Sequence, residues 1–416
     1  MKDYEYIYDV LLKVVKDDIP FNTAIRSVLN NGNKKIVDPN LKSTIYATCG
    51  CVLRHYYVFK EVITRQYVDI DEDKLLLIAL GIGNRLFAKR INEDKLLQFI
   101  AKKTGLQGAP VFIKCFEDPK NLIPDDVEYG TTKYYSLRYN IPTWVIEKWE
   151  KDNGDLIAKK LFHSLTNRPE NLVRINESVI QSKDFFKKYW DFSEFNEEDG
   201  VAIFNNESTL RKHRAITEGD ALKIPLSYKE MCDHLELNPS EGIAIYGCGS
   251  NYFLQELFAR FGPSVKADYI CGHKGHALEV KDLIKQYGLV DVTLYEKDYT
   301  MFDECFPMPV DSLFVCPRSS FLLGLYERAD HFLRIQEEHI KEIAEDEYAS
   351  LCSASKHISD GGRLIYFATT ICYDECRGLI KRFLKEEKDY VLESEKQFFP
   401  FDKYQTMFYY AILKKK

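Results

Sequence analysis

From the start of the chain to about residue 118 the apolar positions recur at helical spacing. Ile7, Val10, Leu11, Val14 and Val15 make one stripe. After the polar break Asn30-Asn31-Gly32-Asn33 and the start signal Asp38-Pro39, Leu41, Ile45, Cys49, Val52, Leu53 and Tyr56 make a second. Leu75-Leu76-Leu77-Ile78-Ala79-Leu80 has the density of a buried central helix. Leu96, Leu97, Ile100 and Ala101 belong to a further one that stops near Gly105. Helices joined by short loops predict an all-α bundle. Pro110, Pro119 and Pro124, with Asp125, Asp126 and Gly130, then mark a boundary poor in periodicity.

The next stretch mixes the two periods. Tyr135–Trp144 leads into a helix carrying Val145, Ile146 and Trp149, and a second helix through Leu161 ends at Asn167-Arg168-Pro169. Leu172-Val173-Arg174-Ile175-Asn176 alternates as a strand does, and Val201–Phe204 reads as another. These features predict a small α/β unit. From about residue 215 strands and helices alternate, with strands over 243–246, 265–271, 291–296, 310–315, 363–368 and 407–413 and helices notably over 275–287 and 331–357. Such alternation predicts a mostly parallel sheet covered on both faces, whose ligands sit at the carboxyl ends of the strands. The chain thus divides into 1–125, 126–214 and 215–416.

At the first of those strands, Ile243-Ala244-Ile245-Tyr246 runs into Gly247-Cys248-Gly249, and the helical pattern Leu254, Leu257, Phe258, Phe261 follows. This arrangement lets backbone N–H groups approach a nucleotide-like ligand, and it equally describes a plain packing turn. Bulk properties narrow the class. The 416 residues are 45% hydrophobic and 29% charged, which is ordinary globular composition. No leader-like or membrane-spanning apolar run is apparent, so a cytoplasmic protein with no membrane partner is expected. The eleven cysteines are scattered, and the close pairs Cys49/Cys51 and Cys372/Cys376 have no second pair nearby, so neither a zinc site nor a disulfide framework is expected. A net charge of −7 excludes a uniformly basic coat but leaves room for a basic face. Arg26, Arg54, His55, Arg65, Arg85, Lys89 and Arg90 could form one on the N-terminal helices, or simply a solvated surface.

Several segments, in order, carry a specific resemblance. Ser136-Leu137-Arg138-Tyr139 with Pro142 and Trp144, Asn167-Arg168-Pro169 before Leu172–Asn176, Pro239-Ser240-Glu241-Gly242-Ile243, Asp298, Ser359-Asp360-Gly361-Gly362-Arg363-Leu364-Ile365-Tyr366 and Phe408–Leu413 resemble the RsmB (Sun) family over essentially the whole chain. That family comprises S-adenosylmethionine-dependent methyltransferases that make 5-methylcytosine in small-subunit rRNA. The resemblance implies a NusB-like helical N-terminal domain, a small α/β middle unit and a C-terminal Rossmann-like class I methyltransferase domain. It implies RNA as partner, in a monomeric protein, with Arg138, Arg168, Arg174, Arg211, Lys212 and Arg214 flanking the cleft beside His213. It places the cofactor against Gly247, Gly249, Asp268, Cys271 and Asp298.

The chemistry-bearing positions differ from the family pattern. Methylating C5 of cytosine needs a thiolate that attacks C6 and a base that removes the C5 proton so the thiolate can leave. The resemblance puts Thr369 at the nucleophile cysteine, Ser319 at the release cysteine and Cys316 at the aspartate of an Asp-Ala-Pro-Cys-Ser-Gly loop matched by Cys316–Phe321. In the cofactor turn Ile245 stands for the aspartate and Asn251-Tyr252-Phe253 for Gly-Gly-Lys. A catalytically degenerate, RNA-binding member with weak or absent cofactor binding is therefore expected. Two alternatives stay open: an active divergent enzyme using displaced Cys316, Cys372 or Cys376, and a transcription-associated helical module with a vestigial tail.

Overall fold

The computed structural model describes residues 3–30, 38–165, 170–196, 200–205, 210–235, 237–238, 243–247, 251–322, 328–403 and 406–416, without the side chains of 195, 196 and 211. The chain forms two compact units, 1–167 with 324–336, and 168–323 with 337–416. Segment 126–214 is thus divided: its helices Thr132–Tyr139, Thr143–Asn153 and Asp155–Ser164 fall in the first unit, and its strands, with the helix Ser182–Lys188, in the second.

The first unit is helical. Asp38 accepts the Asn40 N–H with Pro39 in the first turn, so the helix Pro39–Arg54 starts where the sequence signals it. Asp71 caps Glu72–Gly83 through the Lys74 N–H, and every residue from Leu75 to Gly83 is buried. Glu93–Thr104 ends on Gly105 in the left-handed conformation, φ 70°. The excursion around His331–Arg334 belongs to this unit: Asp330 accepts the Phe21 N–H at 2.9 Å, and the Tyr57 hydroxyl donates to the Phe332 carbonyl at 2.8 Å.

The second unit holds two sheets. Strands β1 (Leu172–Ile175), β2 (Phe192–Asn196), β3 (Val201–Phe204) and β4 (Ala221–Leu222) form an antiparallel sheet in the order β2-β3-β1-β4. Strands β5 (Ile243–Gly247), β6 (Ala267–Ile270), β7 (Val292–Tyr295), β8 (Val310–Cys316), β9 (Ile358–Ala368), β10 (Tyr390–Phe398) and β11 (Phe408–Lys415) form a seven-stranded sheet in the order β10-β11-β9-β8-β5-β6-β7. The five strands from β9 to β7 run parallel, and β11 and β10 add antiparallel at the edge. Along β5, Ile243 and Ile245 enter one core and Ala244 and Tyr246 the other, which is why a central strand reads as an unbroken apolar run. Helices 226–235, 251–261 and 274–287 pack on the first face, and 302–305, 337–355 and 377–386 on the second. The architecture is helical plus a mixed central sheet of Rossmann-like type. No described helix is long and apolar enough to cross a membrane.

Candidate functional site

After β5 the chain adds β6 and β7 on one side, then returns to lay β8 on the other. The strand order therefore reverses between β5 and β8, the position where open parallel sheets hold ligands. Gly247 and Cys316 are the last register pair there. Gly247 has φ 114°, and a Cβ on it would lie 1.7 Å from the Cys316 carbonyl oxygen. The protein's own backbone accounts for this glycine. Gly249 lies outside the described residues.

The loops following β8 and β9 meet through hydroxyl groups. Ser319 Oγ and Thr369 Oγ1 are 3.0 Å apart, and Ser319 Oγ is 3.4 Å from the Thr369 carbonyl oxygen. One step on, Ser320 Oγ and Thr370 Oγ1 are 3.2 Å apart. Glu375, fully buried, accepts both the Ser320 N–H at 2.6 Å and the Ser320 hydroxyl. Gln397 Nε2 donates to the Thr370 carbonyl at 3.2 Å, joining the root of the β10–β11 hairpin to the same assembly. Phe321, matched to a glycine in the resemblance, has φ 55°, a conformation that favours glycine.

The nearby thiols are inside the protein. Cys316, Cys372 and Cys376 are all buried. Burial, with Glu347 adding to it, pushes the Cys316 thiol far above its ordinary range, and burial next to Glu375 does the same to Cys376. The Cys376 Sγ donates to the Thr370 carbonyl at 3.7 Å. Beneath the loops sits Glu347, whose two carboxyl oxygens are buried and make no hydrogen bond. Burial first, then neighbouring Glu375, hold it well above the usual carboxylate range. The Tyr366 hydroxyl close by gives its single proton to the Glu375 carbonyl at 2.8 Å.

Residues expected to hold a cofactor are less well disposed. Asp268 stands within β6, opposite Thr293 and hydrogen-bonded to Tyr295, roughly 10 Å of chain short of position 271. It does not reach the carboxyl end. Cys271 does, as a buried thiol donating to the His273 carbonyl. Asp298 is exposed, accepts the Thr300 N–H at 3.4 Å, and lies against Gly272. A ribose needs an acceptor at the end of the second strand, where a buried thiol stands. Among the described residues 270–273 no carboxylate stands there to accept from a ribose. Across all the described residues no group of three His, Cys, Asp or Glu could hold a metal ion.

The basic residues separate. Arg138 and Lys212 are exposed, and exposed Arg214 pairs with Glu218 at 2.8 Å. Arg174, expected on an RNA-facing surface, is instead 2% exposed: it pairs with Glu177 at 2.8 Å and buried Glu256 at 3.5 Å, and donates to the Ile175 and Gly200 carbonyls. That face of β1 lies against Glu256 of the helix Asn251–Phe261. Arg168 and the Arg211 side chain lie outside the described residues. On the helical unit Arg26, Lys89 and Arg90 are exposed, whereas Arg65 pairs with Glu61 and Asp126, and Arg85 with Glu93.

No family profile and no curated sequence matches the chain. Solved structures do. The crystal structure of PH0851 has a TM-score of 0.71 at 17% identity, covering 100% of this chain and 99% of that one. A methyltransferase homologue from Pyrococcus horikoshii gives 0.58 at 13% identity over 70% of this chain and 100% of its own. NSun6 from Pyrococcus horikoshii with SFG gives 0.58 at 14% identity over 66% and 98%. The fold is a methyltransferase fold.

On that fold, three residues at the strand ends escape a reading by motif. Arg318 is exposed, directly before Ser319. Glu375 holds the buried side of the loops from a 3-10 turn, and Glu347 lies buried near it in a helix interior. Only Glu347 has a sequence signal, a carboxylate in the otherwise apolar helical stripe of Ile340, Tyr348 and Leu351.

Proposed function

We propose that the chain is an RNA-binding protein on the fold of RNA (cytosine-5)-methyltransferases, with the methyl-transfer chemistry lost. The observation that carries this is the Ser319–Thr369 hydroxyl pair, 3.0 Å apart at the two positions where the resemblance expects thiols. An unactivated hydroxyl holds its proton far more tightly than a thiol, so its anion is scarce at neutral pH. The nearest carboxylate in the bonded chain, Glu375, is already engaged by Ser320. Burial of Cys316, Cys372 and Cys376 disfavours a displaced thiolate for the same reason of charge.

RNA as the partner draws on the resemblance, on the NSun6 structure among the neighbours, and on exposed Arg138, Lys212 and Arg318. The N-terminal helices would act as a NusB-like domain and small-subunit rRNA would be the target. Incubating the chain with small-subunit rRNA and labelled S-adenosylmethionine tests both halves of the proposal. Salt-sensitive retention of RNA without label incorporation is expected. Methylated RNA formed over repeated turnovers, or no RNA retained at low salt, overturns it.

A further inference from the structure

In the helical unit, the buried helix Glu72–Gly83 does not simply end. It widens into a π turn, Asn84–Ala88, closed by the Lys89 N–H donating to the Asn84 carbonyl at 2.8 Å. Lys89 then stands in the left-handed conformation, φ 49° and ψ 34°. Buried Asn84 fixes the exit: its side-chain oxygen accepts the Arg90 and Ile91 N–H groups at 3.2 and 3.0 Å, and its amide donates to the Ile91 carbonyl at 3.1 Å. A π turn and a left-handed lysine both cost free energy, and such features gather at ligand sites. Here they border a cleft of about 490 Å³. Arg85 ties its sides together, donating through Nε to the Phe116 carbonyl at 2.8 Å and through Nη1 to Glu93 at 2.5 Å. Lys89 and Glu117 line the same cleft and are exposed, yet neither side chain makes an ion pair or hydrogen bond among the described residues. Half-exposed Ile91 and Phe116 supply an apolar wall.

We infer that this cleft binds a guanine nucleotide, with Lys89 and the Nη2 group of Arg85 on the phosphate, Phe116 and Ile91 against the base, and the Glu117 carboxylate accepting from the base edge. The inference does not rest on the RNA-binding reading, because the shared chemistry is one nucleotide, free or within a strand. Opposite charges held apart across one cleft suit a ligand that carries an anion at one end and donors at the other. A bare phosphate would meet Lys89 but be repelled by Glu117, and a metal ion would meet Glu117 but be repelled by Lys89. The cleft lies within the roughly 300–1,000 Å³ usual for small-molecule sites, more than an inorganic ion needs. A carboxylate only accepts hydrogen bonds, and guanine alone among the bases offers two adjacent donors, N1–H and the N2 amino group, on one edge.

Calorimetry of the full chain decides it. Guanosine 5′-monophosphate should bind, with guanosine and adenosine 5′-monophosphate each about tenfold weaker, the loss expected for one charge-assisted contact. Lys89→Gly removes the ammonium group and relieves the left-handed strain, so the variant should unfold at no lower temperature while its affinity for the nucleotide falls to that for guanosine. Glu117→Gln should erase the preference for guanine over adenine. A second arm separates the sources: the strand UUUGUUU outbinding UUUUUUU, with the margin lost in Glu117→Gln, assigns the cleft to a guanosine within a strand, and equal binding of the two strands assigns it to the free nucleotide. No heat from guanosine 5′-monophosphate at millimolar concentration overturns the inference. So do equal affinities for nucleotide and nucleoside, variants that bind as before, or tighter binding of a free amino acid such as arginine.

Discussion

A methyl group at position 247 would sit 1.7 Å from the Cys316 carbonyl oxygen, in a backbone conformation of φ 114°. Neither strand end can yield without breaking the last register pair of β5 and β8. Gly247→Ala should therefore cost more than the roughly 1–3 kcal/mol of ordinary overpacking, read as a lowered urea midpoint. Glu347 gives a second expectation. Its folded-state pKa is raised, so the folded protein keeps this proton at pH values where the unfolded chain has released it. The stability it contributes is whole below the ordinary carboxylate range and is lost as pH rises through that range toward the raised value. Charged and titratable neighbours Glu375, Asp346, Tyr366 and Cys316 share that environment. Glu347→Gln, which cannot ionise, should flatten the fall in unfolding free energy between mildly acidic and neutral pH. An unchanged pH profile would contradict the buried, undonated carboxyl. At this scale the sequence is a partial guide. Alternation through Leu172–Asn176 locates β1, but nothing in it tells that the Arg174 face is buried against Glu256. Asp268 is the acid nearest to the expected position, yet strand register holds it opposite Thr293.

The loops after β8 and β9 act together because hydroxyls 319, 320, 369 and 370 pair across them and Glu375 collects the Ser320 donors. Replacing Glu375 by Gln would turn one acceptor into a donor facing Ser320. A loss of about 1–3 kcal/mol is expected from leaving a buried donor unmet, measured by urea unfolding, with faster amide exchange at Ser320. Unchanged stability would mean the loops are held by packing alone. The strands that shape this end were legible where both faces are buried: Ile243–Tyr246, Leu313–Val315 and Leu364–Phe367 read as apolar runs. β10 was not, since Val391-Leu392-Glu393 is exposed at the sheet edge and carries a register shift between Leu392 and Ser394. The helix expected over 331–357 is two, His331–Arg334 and Glu337–Ser355, separated where Ile335 turns extended at ψ 138°. Its apolar spacing continues across the break, so periodicity alone misses it.

Across the whole molecule, order of elements is what the sequence conveys best. Helices first, then alternating strands and helices, yield the sheet order β10-β11-β9-β8-β5-β6-β7 and its reversal at β5 and β8. Compact units are less visible, because the excursion 324–336 leaves the sheet-containing part and belongs with the N-terminal helices. A pattern local in sequence carries no mark of that return. We propose that the molecule retains the frame of a base-modifying enzyme and not its covalent chemistry. The most direct measurement of this is a denaturing gel shift on 5-fluorocytosine-containing RNA with S-adenosylmethionine, run on the unaltered chain and on Thr369→Cys. In the family chemistry the fluorinated ring traps an attached thiolate, since elimination at C5 is blocked. Neither protein should give a covalent band, because restoring one thiol leaves the Cys316 position and the cofactor turn as they are. A covalent band from the unaltered chain, abolished by Cys316→Ser, Cys372→Ser or Cys376→Ser, would contradict the account by showing that a buried thiol performs the attack.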